Sequence, residues 1–287
     1  MAAQRTRRLS PAFSPLVSTE ELAQHPEWRV FDCRHDLAQP ALGEQQYAEA
    51  HVPGALFAHL DRDLSAPKTG KNGRHALPEA KTFIAWLGRQ GVKPTDTVVC
   101  YDAGSGTMAS RLWWMLRWAG HELAAVLDGG FAKWQREGRP ATADVPQFEP
   151  AAYPGHARAS MHASVAYVEK KLKRAALLDA RAPVRYHGEQ EPIDPVAGRI
   201  PGAKNRYSND NLSPEGTFKS PEVLRAEFEK ILAGRSPGEV IHYCGSGVAA
   251  CQNVLAMELA GLTGSRVYIG SWSEWCAEPA RPISRSV

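Results

Sequence analysis

One cysteine stands in a sequence context that favours nucleophilic chemistry. Cys244 follows a β-branched run at 239–243 and precedes a helix-forming stretch at 250–260. In α/β sheets, ligands bind beyond the carboxyl ends of the strands, where a helix N-terminus stabilises a thiolate. Gly245 and Gly247 allow several loop amides to converge on one anion. This pattern predicts a reactive thiolate at Cys244, with a buried structural cysteine as the alternative, because most free cysteines are structural.

The chain repeats itself, and the repeat predicts the elements that position this loop. Motifs of the first half recur in the same order in the second, at 29–34 and 176–181, 51–55 and 199–203, 98–102 and 240–244, and 127–134 and 268–275. Strand-like and helix-like stretches alternate in each half, which predicts two α/β domains, each a parallel sheet flanked by helices. We place the first domain at 1–145, a proline-containing linker at 146–160 and the second domain at 161–287. Asp102 stands where Cys244 stands in the second half, so only the second domain carries the nucleophile.

Composition narrows the class of protein. The chain has 287 residues, of which 43% are hydrophobic and 23% charged, as in ordinary globular proteins. Its formal net charge of +3 is too small to indicate a nucleic-acid partner. No apolar run suits a membrane span or a secretory signal, so we expect a cytoplasmic protein whose arginines at 5, 7 and 8 belong to a solvated tail rather than a targeting segment. Five cysteines without a CxxC pair favour reduced thiols, and we expect neither a metal nor a cofactor.

Several features together resemble the two-domain rhodanese-type sulfurtransferases, over about residues 14–284. They are the tandem halves, the Pro-Gly-Ala turns at 53–55 and 201–203, the loop Cys-Gly-Ser-Gly-Val-Ala at 244–249, and Gly-Ser-Trp-Ser-Glu-Trp at 270–275. The resemblance implies tandem rhodanese-like domains, an inactive first and an active second. It also implies a persulfide formed on Cys244 by attack on the sulfane sulfur of a small donor. A thiol such as thioredoxin, a low-molecular-weight thiol, or cyanide then removes that sulfur.

Two branches of this family differ in the loop after the cysteine. Thiosulfate enzymes carry basic residues there, whereas mercaptopyruvate enzymes resemble the Gly-Ser-Gly found at 245–247. The expected donor is therefore 3-mercaptopyruvate, with thiosulfate as the alternative. The loop residues expected to bind the substrate are Gly245, Gly247, Val248 and Ala249.

In the mercaptopyruvate branch, an Asp, a His and the loop Ser are a proposed relay, and the matching residues here are Asp61, His75 and Ser246. A hydroxyl oriented by a neutral imidazole could protonate the enolate that remains when sulfur departs. The spacing also fits a helix cap for Asp61 and a surface loop position for His75, so both alternatives stay open.

Arg185 matches the family's substrate-anion arginine, and a guanidinium suits a carboxylate or a thiosulfonate equally. The sequence departs from the mercaptopyruvate pattern at Ile193, near the place of a second carboxylate-binding arginine. Arg74 or Arg199 could supply that charge, and the sequence places neither. A cysteine phosphatase needs an arginine six residues after its cysteine, where Ala250 stands here, so phosphate chemistry is disfavoured. A non-catalytic sulfur-carrier or binding module is the other alternative.

Other conspicuous residues are interpreted as structural. Trp272 and Trp275 are predicted to pack in the core, because Trp134 occupies the position of Trp275 in the half that has no nucleophile. Cys251 lies about two helical turns after the loop cysteine and is also predicted to be buried. Ser18 and Ser164 are predicted to cap the first helix of each half.

Overall fold

The computed structural model describes residues 13–285, so the arginines at 5, 7 and 8 lie outside the described residues. The first half forms a five-stranded sheet in the order β1-β5-β4-β2-β3, in which all pairs are parallel. Its strands are β1 (Leu16–Val17), β2 (Arg29–Asp32), β3 (Ala55–Phe57), β4 (Val98–Tyr101) and β5 (Ala124–Leu127). Its helices are α1 (Thr19–Gln24), α2 (Leu42–Glu49), α3 (Ala80–Arg89), α4 (Thr107–Trp118) and α5 (Gly130–Arg136). The central strands β4 and β5 are buried at every position, as expected for a parallel sheet covered on both faces.

The second half forms a four-stranded parallel sheet in the order β7-β6-β8-β9. Its strands are β6 (Ala176–Asp179), β7 (Lys204–Asn205), β8 (Val240–Tyr243) and β9 (Arg266–Val267). Its helices are α6 (Val165–Lys171), α7 (Pro183–His187), α8 (Pro221–Leu232), α9 (Ala249–Leu259) and α10 (Ser271–Trp275). Two parallel sheets flanked by helices confirm the predicted α/β fold. No helix within residues 13–285 is long and apolar enough to cross a membrane.

The segment between the sheets is extended. Residues 143–158 contain no helix or strand, and a single 3₁₀ turn follows at Ala159–Met161. Ala151 N donates to Gly88 O at 2.8 Å, and Arg158 N donates to Trp118 O at 2.8 Å, so this segment runs along the first half. The division at 1–145, 146–160 and 161–287 stays a prediction.

Helix starts follow the residues that can satisfy free amides. Ser18 Oγ accepts from Glu21 N at 3.0 Å, and Ser164 Oγ accepts from Tyr167 N at 3.2 Å. These contacts confirm the two predicted caps, each of which satisfies an amide that has no partner within the helix.

The two halves pack through the helices that follow their equivalent loops, α4 and α9. Thr107 Oγ1 donates to Gln252 Oε1 at 2.8 Å, and Gln252 Nε2 donates to Ser105 O at 2.8 Å. One hydrophobic cluster contains Trp113 of α4 together with Cys251 of α9, so the core is continuous across the interface. Consequently, segments of the first half lie beside the loop of the second.

The residues interpreted as structural are buried. Trp272, Trp275 and Cys251 are completely buried, which confirms the prediction for all three. Burial raises the pKa of Cys251 to about 12, so its thiol stays neutral at physiological pH.

Candidate active site

Cys244 lies between the end of β8 and the start of α9, at a cavity of about 240 Å³ formed by both halves. Its side chain is nearly covered, with the residue 3% exposed. Gly247 N donates to Cys244 Sγ at 3.1 Å, and Cys244 N donates to Ser271 Oγ at 3.1 Å. Residues that line the cavity include Thr107, Arg74, Arg185, Ser246, Val248 and Ala249. The structure therefore brings the predicted loop residues around the thiol.

The two loop glycines are required for different reasons. Gly247 has φ +74°, and a Cβ there would lie 2.3 Å from Ile269 O, so a side chain cannot be accommodated without moving the backbone. A Cβ on Gly245 would lie 2.8 Å from Arg74 Nη2 and 3.4 Å from both terminal nitrogens of Arg185. Glycine at 245 thus allows two guanidinium groups to approach the loop.

The equivalent loop of the first half shows what this backbone shape binds. It also connects a strand to a helix, between β4 and α4. The Asp102 carboxylate accepts from the amides of Gly104, Gly106 and Met108 at 2.9, 2.9 and 2.8 Å, and from Ala109 N at 3.3 Å. The first loop is an anion nest filled by its own side chain. In the second loop, Cys244 stands at the position of Asp102, so this loop has no carboxylate of its own at that place.

The three residues of the predicted relay lie close together although they come from both halves. His75 Nδ1 lies 2.9 Å from Ser246 Oγ, and His75 Nε2 lies 3.5 Å from Asp61 Oδ1. His75 is 3% exposed, so the surface-loop alternative is wrong. Asp61 lies in a turn at 60–63 rather than before a helix, so the helix-cap alternative is also wrong.

The imidazole of the relay is held neutral. Burial, aided by the positive charge of Arg111, lowers the pKa of His75 to about 3 despite the neighbouring Asp61 carboxylate. A neutral ring can accept a proton at one nitrogen while the other carries one. The geometry therefore permits proton exchange between His75 and the Ser246 hydroxyl near neutral pH.

Two arginines flank the loop and share a carboxylate. Arg185 Nη2 lies 2.6 Å from Glu191 Oε1 and 3.1 Å from Asp194 Oδ2. Arg74 Nη1 forms an ion pair with the other oxygen of Asp194. Burial raises the pKa of Asp194, an effect that Arg74 opposes. Two guanidinium groups and two carboxylates are thus close to charge balance at the mouth of the cavity.

Of the two arginines that the sequence left as candidates, Arg74 lies at the cavity and Arg199 does not. Arg74 lines the cavity, whereas Arg199 Nη1 donates to Tyr186 O at 3.3 Å and its guanidinium lies over the Tyr186 ring. Ile193 lies at the rim, 45% exposed. Sequence reasoning missed Asp194 altogether, and the one available signal for Arg74 was that it directly precedes His75.

A cluster beside the relay resembles a metal site but is arranged for hydrogen bonding. His35, His59 and Asp61 each offer one potential ligand atom within 4.8 Å of the others. His59 Nδ1 accepts from the amides of Asp61 and Arg62 at 3.1 and 3.3 Å. The proton of the neutral ring therefore lies on Nε2, and Nε2 has no lone pair for a metal ion. Lys68 Nζ lies 3.1 Å from Asp61 Oδ1 and would repel a cation. We interpret the cluster as support for the Asp61 carboxylate.

Comparison with known proteins defines the class to which this fold and site belong. A family model described as rhodanese-like domain matches residues 18–137 and 164–278. The chain therefore belongs to the rhodanese-like family, as the sequence motifs predicted.

Among curated proteins, the chain is 44% identical over 276 residues to a probable 3-mercaptopyruvate sulfurtransferase of Pseudomonas aeruginosa, covering 94% of this chain and 97% of that protein. It is 36% identical over 279 residues to a thiosulfate sulfurtransferase of Mus musculus, covering 92% of each. The solved 3-mercaptopyruvate sulfurtransferase of Leishmania major superposes with a TM-score of 0.82 at 31% identity, covering 93% of this chain and 75% of that one.

Proposed function

We propose that the protein is a sulfurtransferase that moves the sulfur of 3-mercaptopyruvate through a persulfide on Cys244 to a thiol or cyanide acceptor. One observation carries this proposal. The Cys244 thiol, the Ser246 hydroxyl beside His75 and the Arg185 guanidinium face one cavity between the halves. A nucleophile, a proton relay and an anion-binding group are the parts that this reaction needs. The 44% identity to a protein named for the same donor supports the choice of substrate.

The proposed transfer balances in atoms and charge. The Cys244 thiolate attacks the donor sulfur, so an S–S bond forms as the bond between sulfur and C3 breaks. The electron pair of the broken bond remains on carbon as the enolate of pyruvate. Ser246 donates a proton to C3 and regains one through His75. The donor's thiol proton replaces the one consumed, which leaves an anionic persulfide and pyruvate.

The anion-binding groups support a monoanionic donor. Arg185 and Arg74 can bind the donor carboxylate, but Asp194 and Glu191 already balance much of their charge. A dianion such as thiosulfate would therefore find less compensation for its lost hydration than in a strongly cationic pocket. Thiosulfate stays the second candidate, because guanidinium groups beside Gly245 lie where thiosulfate enzymes carry basic loop residues.

The acceptor must reach the nearly buried sulfur on Cys244. Leu37 and Ile193 are exposed apolar side chains at the mouth of the cavity, 51% and 45% exposed, and they suit contact with a protein thiol such as thioredoxin. A low-molecular-weight thiol or cyanide could enter without such contact. We place the reaction in the cytoplasm, because the five cysteines are unpaired and buried, as expected for a reducing compartment.

A donor panel with mass analysis tests the proposal. Incubation with 3-mercaptopyruvate should add one sulfur atom to the peptide that contains Cys244 and release pyruvate. Cys244→Ser should lose both, whereas the control Cys100→Ser, at a buried cysteine in strand β4, should keep the adduct. Sulfur on another cysteine would contradict the assignment. No turnover with any sulfane donor would favour a binding or carrier module.

A further inference from the structure

A buried arginine of the first half joins the cysteine loop to the relay segment. Arg111 lies on α4 and is completely buried. Its Nη1 donates to Gly247 O at 3.1 Å, and its Nη2 donates to Leu64 O at 3.0 Å and to His75 O at 3.1 Å. One guanidinium thus holds the backbone of the loop, the backbone of the relay histidine and the turn that precedes it.

This guanidinium has no local counter-charge. Within residues 13–285, no carboxylate oxygen lies within 4.0 Å of Arg111, and its Nε has no hydrogen-bond partner. Other buried arginines are paired, since Arg34 lies 2.6 Å from Asp32 and Arg181 lies 2.7 Å from Asp179. A buried cation without an anion destabilises the folded state. Its position beside the cysteine loop and the relay segment therefore suits an anion that forms there.

The loop sulfur is the group that can become that anion. Gly247 contacts both partners, because its N–H donates to Cys244 Sγ at 3.1 Å and its carbonyl accepts from Arg111 at 3.1 Å. Burial lowers the pKa of Arg111, and the neighbouring Cys251 and Cys244 thiols oppose this shift. Cys251 sits in the core with a raised pKa, so the sulfur of Cys244 is the better candidate for the negative charge.

We propose that Arg111 is a positioning residue whose guanidinium clamps the cysteine loop to the relay segment and acts as the permanent counter-charge for the anionic sulfur on Cys244. The persulfide part of this inference rests on the proposed sulfur transfer, whereas the thiolate part does not. The same cation also disfavours an imidazolium at His75, which keeps the relay histidine in its neutral form.

Other charged or titratable groups surround these two residues and must be considered in any test by pH. Those that face Arg111 or Cys244 are Cys251, His75, His162, Arg74, Arg181 and Arg185. The lowered pKa values of His75 and His162, about 3 and about 4, leave both rings neutral above pH 5. The arginines across the cavity are paired with Asp179, Glu191 and Asp194. Arg111 is therefore the unpaired fixed charge in this group.

The test measures the rate of Cys244 alkylation by iodoacetamide as a function of pH, read by mass analysis of its peptide in the full chain. Arg111→Gln keeps two N–H donors but removes the charge, and it should raise the pH of half-maximal alkylation by about one unit. Arg111→Lys keeps the charge and loses part of the clamp, so its alkylation profile should match the parent while kcat falls. Arg34→Gln removes an arginine of similar burial that has its own carboxylate, and it should leave the profile unchanged.

Two results would overturn the proposal. One is an Arg111→Gln profile that superposes on the parent, and the other is an Arg111→Lys profile shifted as far as that of Arg111→Gln. If the glutamine variant does not fold, the lysine variant keeps the proposal falsifiable, because a profile shifted by about one unit despite the retained charge, or an unchanged kcat, would overturn it. Alkylation needs no sulfur donor, so a failed donor panel would refute the proposed function without affecting this measurement.

Discussion

Replacing Arg74 with glutamine tests whether the first half supplies part of the substrate site. The Arg74 guanidinium reaches the loop, since its Nη2 lies 2.8 Å from the position of a Cβ on Gly245. Loss of one charge-assisted contact is worth about 1.5–3 kcal/mol, or about ten- to hundredfold in kcat/KM. The structure favours the upper part of this range. Without Arg74, Asp194 keeps Arg185 as its one ion-pair partner among residues 13–285, and we expect it to draw that guanidinium away from the donor as well.

The assay follows pyruvate release from 3-mercaptopyruvate and separates KM from kcat. An anion-binding group acts on the bound substrate and on the transition state alike, so most of the loss should appear in KM. Arg199→Gln is the matched control, because Arg199 lies against Tyr186 and should leave KM within about twofold. An unchanged KM for Arg74→Gln, combined with a raised KM for Arg199→Gln, would refute the assignment.

Further predictions concern the relay, the loop and a buried histidine. Ser246→Ala should lower kcat for 3-mercaptopyruvate by about a hundredfold but spare thiosulfate, whose departing sulfite needs no proton on carbon; equal losses with both donors would contradict the relay. Gly247→Ala should lower the free energy of unfolding by about 1–3 kcal/mol or more in urea titrations, because its Cβ would lie 2.3 Å from Ile269 O; an unchanged midpoint would refute this packing argument. Burial lowers the pKa of His242 to about 3, so the unfolded chain binds more protons between pH 6.5 and 3 and stability falls as pH falls, by about 1.4 kcal/mol per unit. His242→Leu should flatten the fall in unfolding free energy from pH 6.5 to 5, and a slope equal to the parent's would show that this histidine is not responsible.

The fold was predictable because the same sequence motifs occur in both halves of the chain. Repeated motifs and alternating strand and helix patterns indicated two parallel sheets, and they placed Cys244 between a strand and a helix, where the structure has it between β8 and α9. Local capping chemistry placed the starts of α1 and α6 at Ser18 and Ser164. These features depend on short-range sequence patterns, which can be recognised without knowledge of tertiary contacts.

The charge arrangement of the site was not predictable, because it depends on contacts across the interface. The sequence indicated a missing cation near Ile193, and two distant arginines were equal candidates for it. Only the packing of the 66–78 segment against the second half distinguishes them, since Arg74 N donates to Ser273 Oγ at 3.1 Å. Asp194 belongs to no motif that the sequence shows, and only the structure reveals that its carboxylate forms ion pairs with both Arg74 and Arg185.

The first half has no nucleophile in its own loop, but its residues line the cavity of the second half. Its loop amides bind the Asp102 carboxylate, so this loop cannot accept another anion at the same place. Because α4 and α9 pack together, the segments around that closed loop face the open loop of the second half. From that side, His75 contacts Ser246, Arg111 contacts Gly247 and Arg74 lines the cavity beside Cys244. In the proposed mechanism, a first half without a nucleophile supplies the relay, an anion-binding group and the counter-charge to its neighbour, which agrees with a cavity lined by residues of both halves.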